Sequence, residues 1–337
     1  MFRKKTLEPA PAFWIPATAL PTTPSNSFYQ RLAAALDATG FGGAVRTTCA
    51  PHYDMDASKG GAPGIDPAVY FKMLMVGFFE NIGSERGIAS RCADSLAIRQ
   101  FLHYEITEAT PHHSSFTVIR QRLPLEVYEG VFTRILKALH EHKLLKGKRL
   151  AIDTSVLEAN ASLRGLEHRL TGEEYAAYVK RLATEAGIDP EDARAIRTFD
   201  RKRKGRTTSN TERVNPNDPD AKVGPDKKGA IRMIYKPEHV VDADTGAIVD
   251  VAITLGDQAD GSALVERVAA AEARLNAVAE VHPGVARVTL VTADMGYFQI
   301  EQMGELQAGD IATAIPDPVE HRRETERGLS DREVIMR

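Results

Sequence analysis

Two aspartates close short apolar runs, and carboxylates in that position could hold a hard cation. The first ends Leu150-Ala151-Ile152-Asp153, entered from the basic Lys146-Gly147-Lys148-Arg149. The second ends Val288-Thr289-Leu290-Val291-Thr292-Ala293-Asp294 and is followed by Met295-Gly296-Tyr297. Runs rich in Val, Ile, Leu and Thr read as buried strands. Side chains at the carboxyl ends of such strands face the crevice where α/β sheets place their chemistry. Two carboxylates delivered there from neighbouring strands suit Mg²⁺, which takes one or two of them and completes its octahedron with water and phosphate oxygens. A plainer reading stays open, in which each aspartate caps the turn after its strand.

Positioning those two side chains needs a sheet, and the rest of the chain has room for one. Its 337 residues, 43% hydrophobic, are enough for two domains with cores of their own. A net charge of −3 excludes a blanket of positive charge, so any nucleic-acid contact must come from local patches. Cys49 and Cys92 are too few and too far apart for a disulfide framework or a zinc cluster, and read as buried thiols in a reducing compartment. Met1-Phe2-Arg3-Lys4-Lys5 runs into prolines rather than an apolar signal core, and residues 68–79 are too short to span a bilayer and carry Lys72. The expectation is a cytoplasmic protein with no membrane contact.

Residues 1–27 hold Pro9, Pro11, Pro16, Pro21 and Pro24 around Trp14 and read as an irregular arm. Helical spacing then dominates. A helix over 28–38 is expected to end at Gly40, Gly42 and Gly43, and Asp66-Pro67 is an N-cap followed by a first-turn proline. Residues 68–79 are apolar nearly all round, as in a core helix, and 84–91 and 95–102 continue in helical style. His112-His113 invites a metal reading, but consecutive helical residues do not share a face. Ser114 or Ser115 reads instead as an N-cap, with Phe116, Ile119 and Leu123 buried and Arg120 and Arg122 outside. With an amphipathic helix over 127–145, residues 28–146 read as an all-helical domain.

Beyond Asp153, residues 160–209 are polar and helix-rich with no strand signal, and helix starts are read at Thr171 to Glu174 and Asp189 to Asp192. The stretch ends in Arg201-Lys202-Arg203-Lys204-Gly205-Arg206, which fits either a solvated face or phosphate contact. Residues 231–242 read as a strand broken at Pro237, turned by Asp244-Thr245-Gly246 and answered by residues 247–255. Asp260-Gly261-Ser262 opens an alanine-rich helix ending near Val281. After the Asp294 strand come a helix over 299–306 and a short strand over 310–315.

A carboxylate-bearing strand, a helical insertion, a hairpin, a crossover helix and a second carboxylate-bearing strand resemble the ribonuclease H-like fold. Residue detail resembles the DDE transposases of bacterial insertion sequences, in the IS4/IS5-like and especially the IS1182-like group. The matching text is Gly64-Ile65-Asp66-Pro67, Ser84-Glu85-Arg86-Gly87-Ile88, and Pro111-His112-His113-Ser114-Ser115-Phe116 with Arg120. It continues with Asp153-Thr154-Ser155, Glu158-Ala159-Asn160-Ala161-Ser162, Asp218-Pro219-Asp220-Ala221, Tyr235-Lys236 with His239-Val240-Val241-Asp242, and Ala293-Asp294-Met295-Gly296-Tyr297. The resemblance implies an α+β, multi-domain chain: a helical DNA-binding domain over 28–146, then a ribonuclease H-like mixed α/β domain over 147–337 with a helical, basic insertion at about 160–225.

It also implies phosphoryl transfer with two Mg²⁺ (or Mn²⁺) ions, Asp153 bridging them and Asp294 ligating one. The implied partners are double-stranded DNA, as inverted-repeat ends and target, and a second copy of the chain as a homodimer on that DNA in the nucleoid. Arg120, Arg122, Arg201, Lys202, Arg203, Lys204 and Arg206 are the residues expected to touch phosphates. The family's third acid is a glutamate on a helix after the last strand. Here Glu320, Glu324 and Glu326 are the candidates, in a tail with no apolar stripe to dock a helix. The expectation is therefore a truncated chain, lacking its last helix and impaired in turnover. Alternatives are a DNA-binding remnant without catalysis and a ribonuclease H-like nuclease without strand transfer. No Gly-rich phosphate loop or nucleophile elbow supports an enzyme of another kind.

Overall fold

Helical spacing governs the first part of the chain and strand alternation the second. The computed structural model describes residues 24–53, 64–204, 209–279, 287–319 and 321–322. They form two compact units that divide between Ile135 and Leu136. The first holds helices α1 (Pro24–Ala38), α2 (Phe41–Cys49), α3 (Pro67–Phe79), α4 (Glu85–Asp94), α5 (Leu96–Leu102), α6 (Ser114–Arg122) and the start of α7 (Leu125–Glu141). The division thus falls inside α7, whereas the sequence reading placed it after residue 146.

Three local readings change. α1 begins at Pro24, in the stretch read as an irregular arm; proline suits a first helical position, where an N–H would lack a partner anyway. Only Gly40, at φ 65°, ends α1, and Gly42 and Gly43 lie inside α2. That helix forms because Phe41, Val45 and Cys49, one turn apart, are all buried. At α6 neither serine is the N-cap. His113 takes that place without a side-chain bond, and the Ser114 N–H donates to His112 Nδ1 at 3.4 Å. The Asp66 cap is as expected, its Oδ1 accepting from the Ala68 N–H at 2.9 Å. Phe116, Ile119 and Leu123 join Phe41, Met73, Ile98 and Leu102 in the core. Cys49 and Cys92 are buried and free, and burial pushes the Cys92 thiol up to about 12. Among the described residues no helix is long and apolar enough to cross a membrane.

The second unit is built on β1 (Arg149–Thr154), β2 (Leu157–Glu158), β3 (Glu167–His168), α8 (Tyr175–Glu185), α9 (Ala193–Lys202), α10 (Ser209–Glu212), β4 (Arg213–Val214), β5 (Lys222–Pro225), β6 (Ile231–Asp242), β7 (Ile248–Leu255), α11 (Leu264–Ala279), β8 (Leu290–Ala293), α12 (Ile300–Ala308) and β9 (Ala312–Ala314). Across the sheet the order is β7, β6, β1, β8, β9. β6 is antiparallel to β1 and β7, while β8 and β9 run parallel to β1 and to each other. This is the mixed sheet of a ribonuclease H-like domain. α11 buries Leu264, Val268, Ala271, Leu275 and Val278, a four–three spacing that makes one continuous stripe.

β6 does not break at Pro237. It runs unbroken for 12 residues, with Pro237 opposite Ile253 of β7. On its other edge the Pro237 carbonyl accepts from the Ser155 N–H at 2.9 Å. The N–H that proline lacks faces that same edge, at the place where β1 ends and β2 has not yet begun. The insertion between β2 and β6 also contains strands that the sequence did not signal. β3 and β4 pair over two residues each, and β5 pairs with β6. Its small core of Ala159, Leu166, Tyr175, Val179, Ala221 and Met233 is seated on the first part of β6.

Candidate active site

β1 and β8 are register partners through Ile152 and Ala293, so the next residue on each is an aspartate. Parallel strands lie about 4.7–4.9 Å apart, and residues in register share a face. Asp153 on β1 and Asp294 directly after β8 thus follow one register pair, at the carboxyl ends of adjacent parallel strands. Both are exposed, and among the described residues neither is paired with a basic side chain.

Asp294 does cap its turn: Oδ1 accepts from the Gly296 N–H at 2.9 Å. Capping fixes one oxygen and leaves the other without a protein hydrogen bond among the described residues. The absence of a side chain at Gly296 keeps space open beside it. A Cβ there would lie 3.1 Å from Asp294 Oδ1 and 3.9 Å from Oδ2 of Asp260. Asp260 is itself held by Lys236, Nζ to Oδ1 at 3.1 Å. On the other side of Asp153, His239 of β6 is its cross-strand partner. Among the described residues no three or more His, Cys, Asp or Glu side chains cluster as a metal site.

Beneath the aspartates lies a buried polar clasp that sequence reasoning did not assign. Tyr297, 1% exposed, shares a hydrogen bond with the Thr154 hydroxyl, and so joins the residue after Asp153 to the turn after Asp294. Glu238, 3% exposed and in register with Thr154, is buried close enough to Tyr297 to feel its hydroxyl. Burial raises the Glu238 carboxyl above its ordinary range, against the opposing pull of Tyr297 and Arg267, while burial raises Tyr297 as well. Arg267 approaches both Glu238, at 3.8 Å, and Asp250, at 3.7 Å, and Arg274 Nε donates to Asp250 at 2.6 Å. Tyr297 lies in the motif around Asp294, which was the available signal. Its neighbour Glu238, far away in sequence, gave none.

The cations expected to meet phosphate separate. Arg120 pairs with Glu85 at 2.5 Å with its side chain 60% exposed, and the Arg122 guanidinium lies 4.7 Å from the Tyr53 ring centroid. Arg201, Lys202 and Lys204 are exposed. Arg203 is not: its side chain is 8% exposed and bonded to Asp200, Glu212 and the Tyr175 hydroxyl. Its place as C-cap, on the inner side of α9, turns it toward those partners. Arg206, Glu320, Glu324 and Glu326 lie outside the described residues.

Two protein families match the chain. One, a transposase domain (DUF772), covers residues 19–122, and the other, a transposase DDE domain, covers residues 191–335. The second match includes Asp294 and begins after β1, so the place of Asp153 rests on the sheet register. No curated protein matches the chain.

Proposed function

Because the chain belongs to the DDE transposases of the IS1182-like kind, we propose that it binds insertion-sequence ends and cuts and joins DNA strands by Mg²⁺-dependent phosphoryl transfer. The observation that supports this reading is the parallel pairing of β1 with β8, whose register partners Ile152 and Ala293 are each followed by an aspartate. Their oxygens fit the cation: they are hard, exposed and free of basic partners among the described residues, and Gly296 keeps the adjacent space open. Mn²⁺ would suit the same donors. Bound there, the cation would offset charge at the scissile phosphate and acidify an attacking water or 3′-hydroxyl.

The chain's own groups do the rest. Asp153 and Asp294 are not nucleophiles; they hold negative charge at fixed points. The Gly296 N–H fixes one oxygen of Asp294, and the Tyr297–Thr154 bond keeps the two strand ends in register. Arg120 and Arg122 of the helical domain, with Arg201, Lys202 and Lys204 of the insertion, would lie on phosphates. Arg120 would exchange Glu85 for phosphate at small expense, since exposed pairs contribute about 0–1 kcal/mol. Arg203 is left out because two carboxylates already match its charge. Two copies of the chain would hold the two ends.

The test is an end-cleavage and strand-transfer assay with the full chain, Mg²⁺ or Mn²⁺, a duplex carrying the insertion-sequence end and a target duplex. Cleavage and joining are expected, and both should vanish in Asp153→Asn and Asp294→Asn while end binding persists. Undiminished cleavage by either variant would refute the assignment. End binding without cleavage would mark a DNA-binding remnant, and cutting of arbitrary duplexes without joining would mark a nuclease.

A further inference from the structure

Acidic and basic side chains in the insertion are sorted by face. Lys180 pairs with Glu191, Arg181 with Glu173 and Glu185, Arg203 with Asp200 and Glu212, and Arg213 with Asp200. Asp192 caps α9 through the Arg194 and Ala195 N–H groups, and Asp189 accepts from the Glu191 N–H. On α9 the arginines Arg194, Arg197 and Arg201 have no ion pair among the described residues, and all three are exposed. Their spacing of three and then four residues puts them on one face of α9. Ile196, Phe199 and Arg203 occupy the opposite, half-buried side. The arginines span about 10 Å of helix axis at about 1.5 Å per residue.

Where this stripe sits in the fold gives it a partner. The insertion is anchored on β6 at Met233, Ile234 and Tyr235, through β2 and β5. Asp153 is paired further along the same strand, at His239. Tyr235 and His239 are four steps apart along the strand, roughly 14 Å at about 3.4 Å each. The insertion therefore extends from the carboxyl end of β1, the end that carries the aspartates. A row of uncompensated guanidinium groups complements one kind of surface above others, the phosphate backbone of duplex DNA.

We propose that Arg194, Arg197 and Arg201 on the outer face of α9 form a phosphate-tracking surface that holds duplex DNA beside the catalytic end of the sheet. The inference rests on the transposase reading and adds two arginines outside the basic run of residues 201–206. Phosphates carry no sequence, so the stripe contributes affinity and position without preference among sequences.

The test compares the full wild-type chain with Arg194→Gln/Arg197→Gln/Arg201→Gln, using a duplex that carries the insertion-sequence end and a random-sequence duplex over a range of salt. Glutamine is a good helix former, so α9 is retained. The slope of log K against log salt should shrink by about 2–3, at about 0.9 for each phosphate that is no longer neutralised, equally on both duplexes. Lys180→Gln/Arg181→Gln, which removes paired cations from the same insertion, should leave the slope unchanged. If the triple variant fails to fold, Arg201→Gln alone should lower the slope by about 0.9. A wild-type slope in the folded triple variant, or an equal loss in the paired-cation control, overturns the stripe while the transposase reading stands. A wild-type chain that binds neither duplex at low salt overturns both.

Discussion

Removing a single oxygen tests whether the buried clasp, rather than the aspartates alone, sets the geometry of the site. Tyr297→Phe keeps the ring that fills the core and deletes the hydroxyl bonded to Thr154. No cavity opens, because the ring stays. The loss is the hydrogen bond to the Thr154 hydroxyl, which is partly buried. Losing such a bond destabilises by about 0.5–1.5 kcal/mol. In a unit of this size each kcal/mol lowers the melting temperature by about 2–4 °C. The effect on chemistry should be larger. The bond ties the residue after Asp153 to the turn held by Asp294, and displacement of a reacting geometry by about 1 Å can slow a reaction on the order of 100-fold. Thermal melting and single-turnover end cleavage measure the two effects separately, and end binding should not change. Normal cleavage by a protein that melts several degrees lower would show that the clasp serves stability alone. Normal melting and normal cleavage together would mean that the hydroxyl does nothing at this site.

Three other perturbations follow from the same structure. Glu238 titrates above its ordinary range in the folded chain, so the folded state binds more protons than the unfolded state as pH rises past the ordinary carboxyl value. Its contribution is therefore complete below that value and is lost as pH rises through the folded one. Urea titrations should show this downward slope in wild type and a flatter one in Glu238→Gln. Gly261 has φ 73°, and a Cβ there would come within 2.7 Å of Tyr297 Cα, whereas Gly172, at φ 66°, faces open space. Gly261→Ala should lose more stability on thermal melting than Gly172→Ala, which carries only the left-handed strain of about 1–2 kcal/mol. Arg203→Met removes the cation shared by Asp200 and Glu212, Asp200 keeping Arg213, and should destabilise the insertion, seen as faster limited proteolysis there, while exposed Arg201→Met should stay within about 0.5 kcal/mol.

What the sequence could show depended on the range of each signal. The strands before Asp153 and Asp294 were legible because β-branched and aliphatic runs are local, and their neighbouring positions were what the resemblance to the ribonuclease H-like fold implied. Asp66 was legible as a cap because a cap acts within its own turn. α2 was missed because Gly42 and Gly43 read as helix stops, whereas burial of Phe41, Val45 and Cys49 outweighs their low propensity. Two-residue strands such as β3 and β4 are too short to alternate. Arg203 looked like its basic neighbours because one run of charge does not reveal which side chain meets Glu212 across the insertion. The clasp was hidden for the same reason: Thr154, Glu238 and Tyr297 come from three strands or turns widely separated along the chain.

β6 explains how a chain with a large insertion can keep an accurate site. One strand carries both loads. Its later residues pair with β1 around Asp153, and its earlier residues pair with β2 and β5 at the root of the insertion. Ile234 and Val240 are both buried along it, at 1% and 0% exposure, so neither end is free to twist independently of the packed sheet. Pro237 stands between the two regions, where β1 releases the edge and no ladder donor is required. The chain can therefore leave the sheet directly after Asp153, build a basic lobe, and return to the same strand without weakening the pairing that sets the aspartate. A phosphate held by α9, as proposed, would thus be referred to Asp153 through β6, which a lobe tethered by loops alone would not provide.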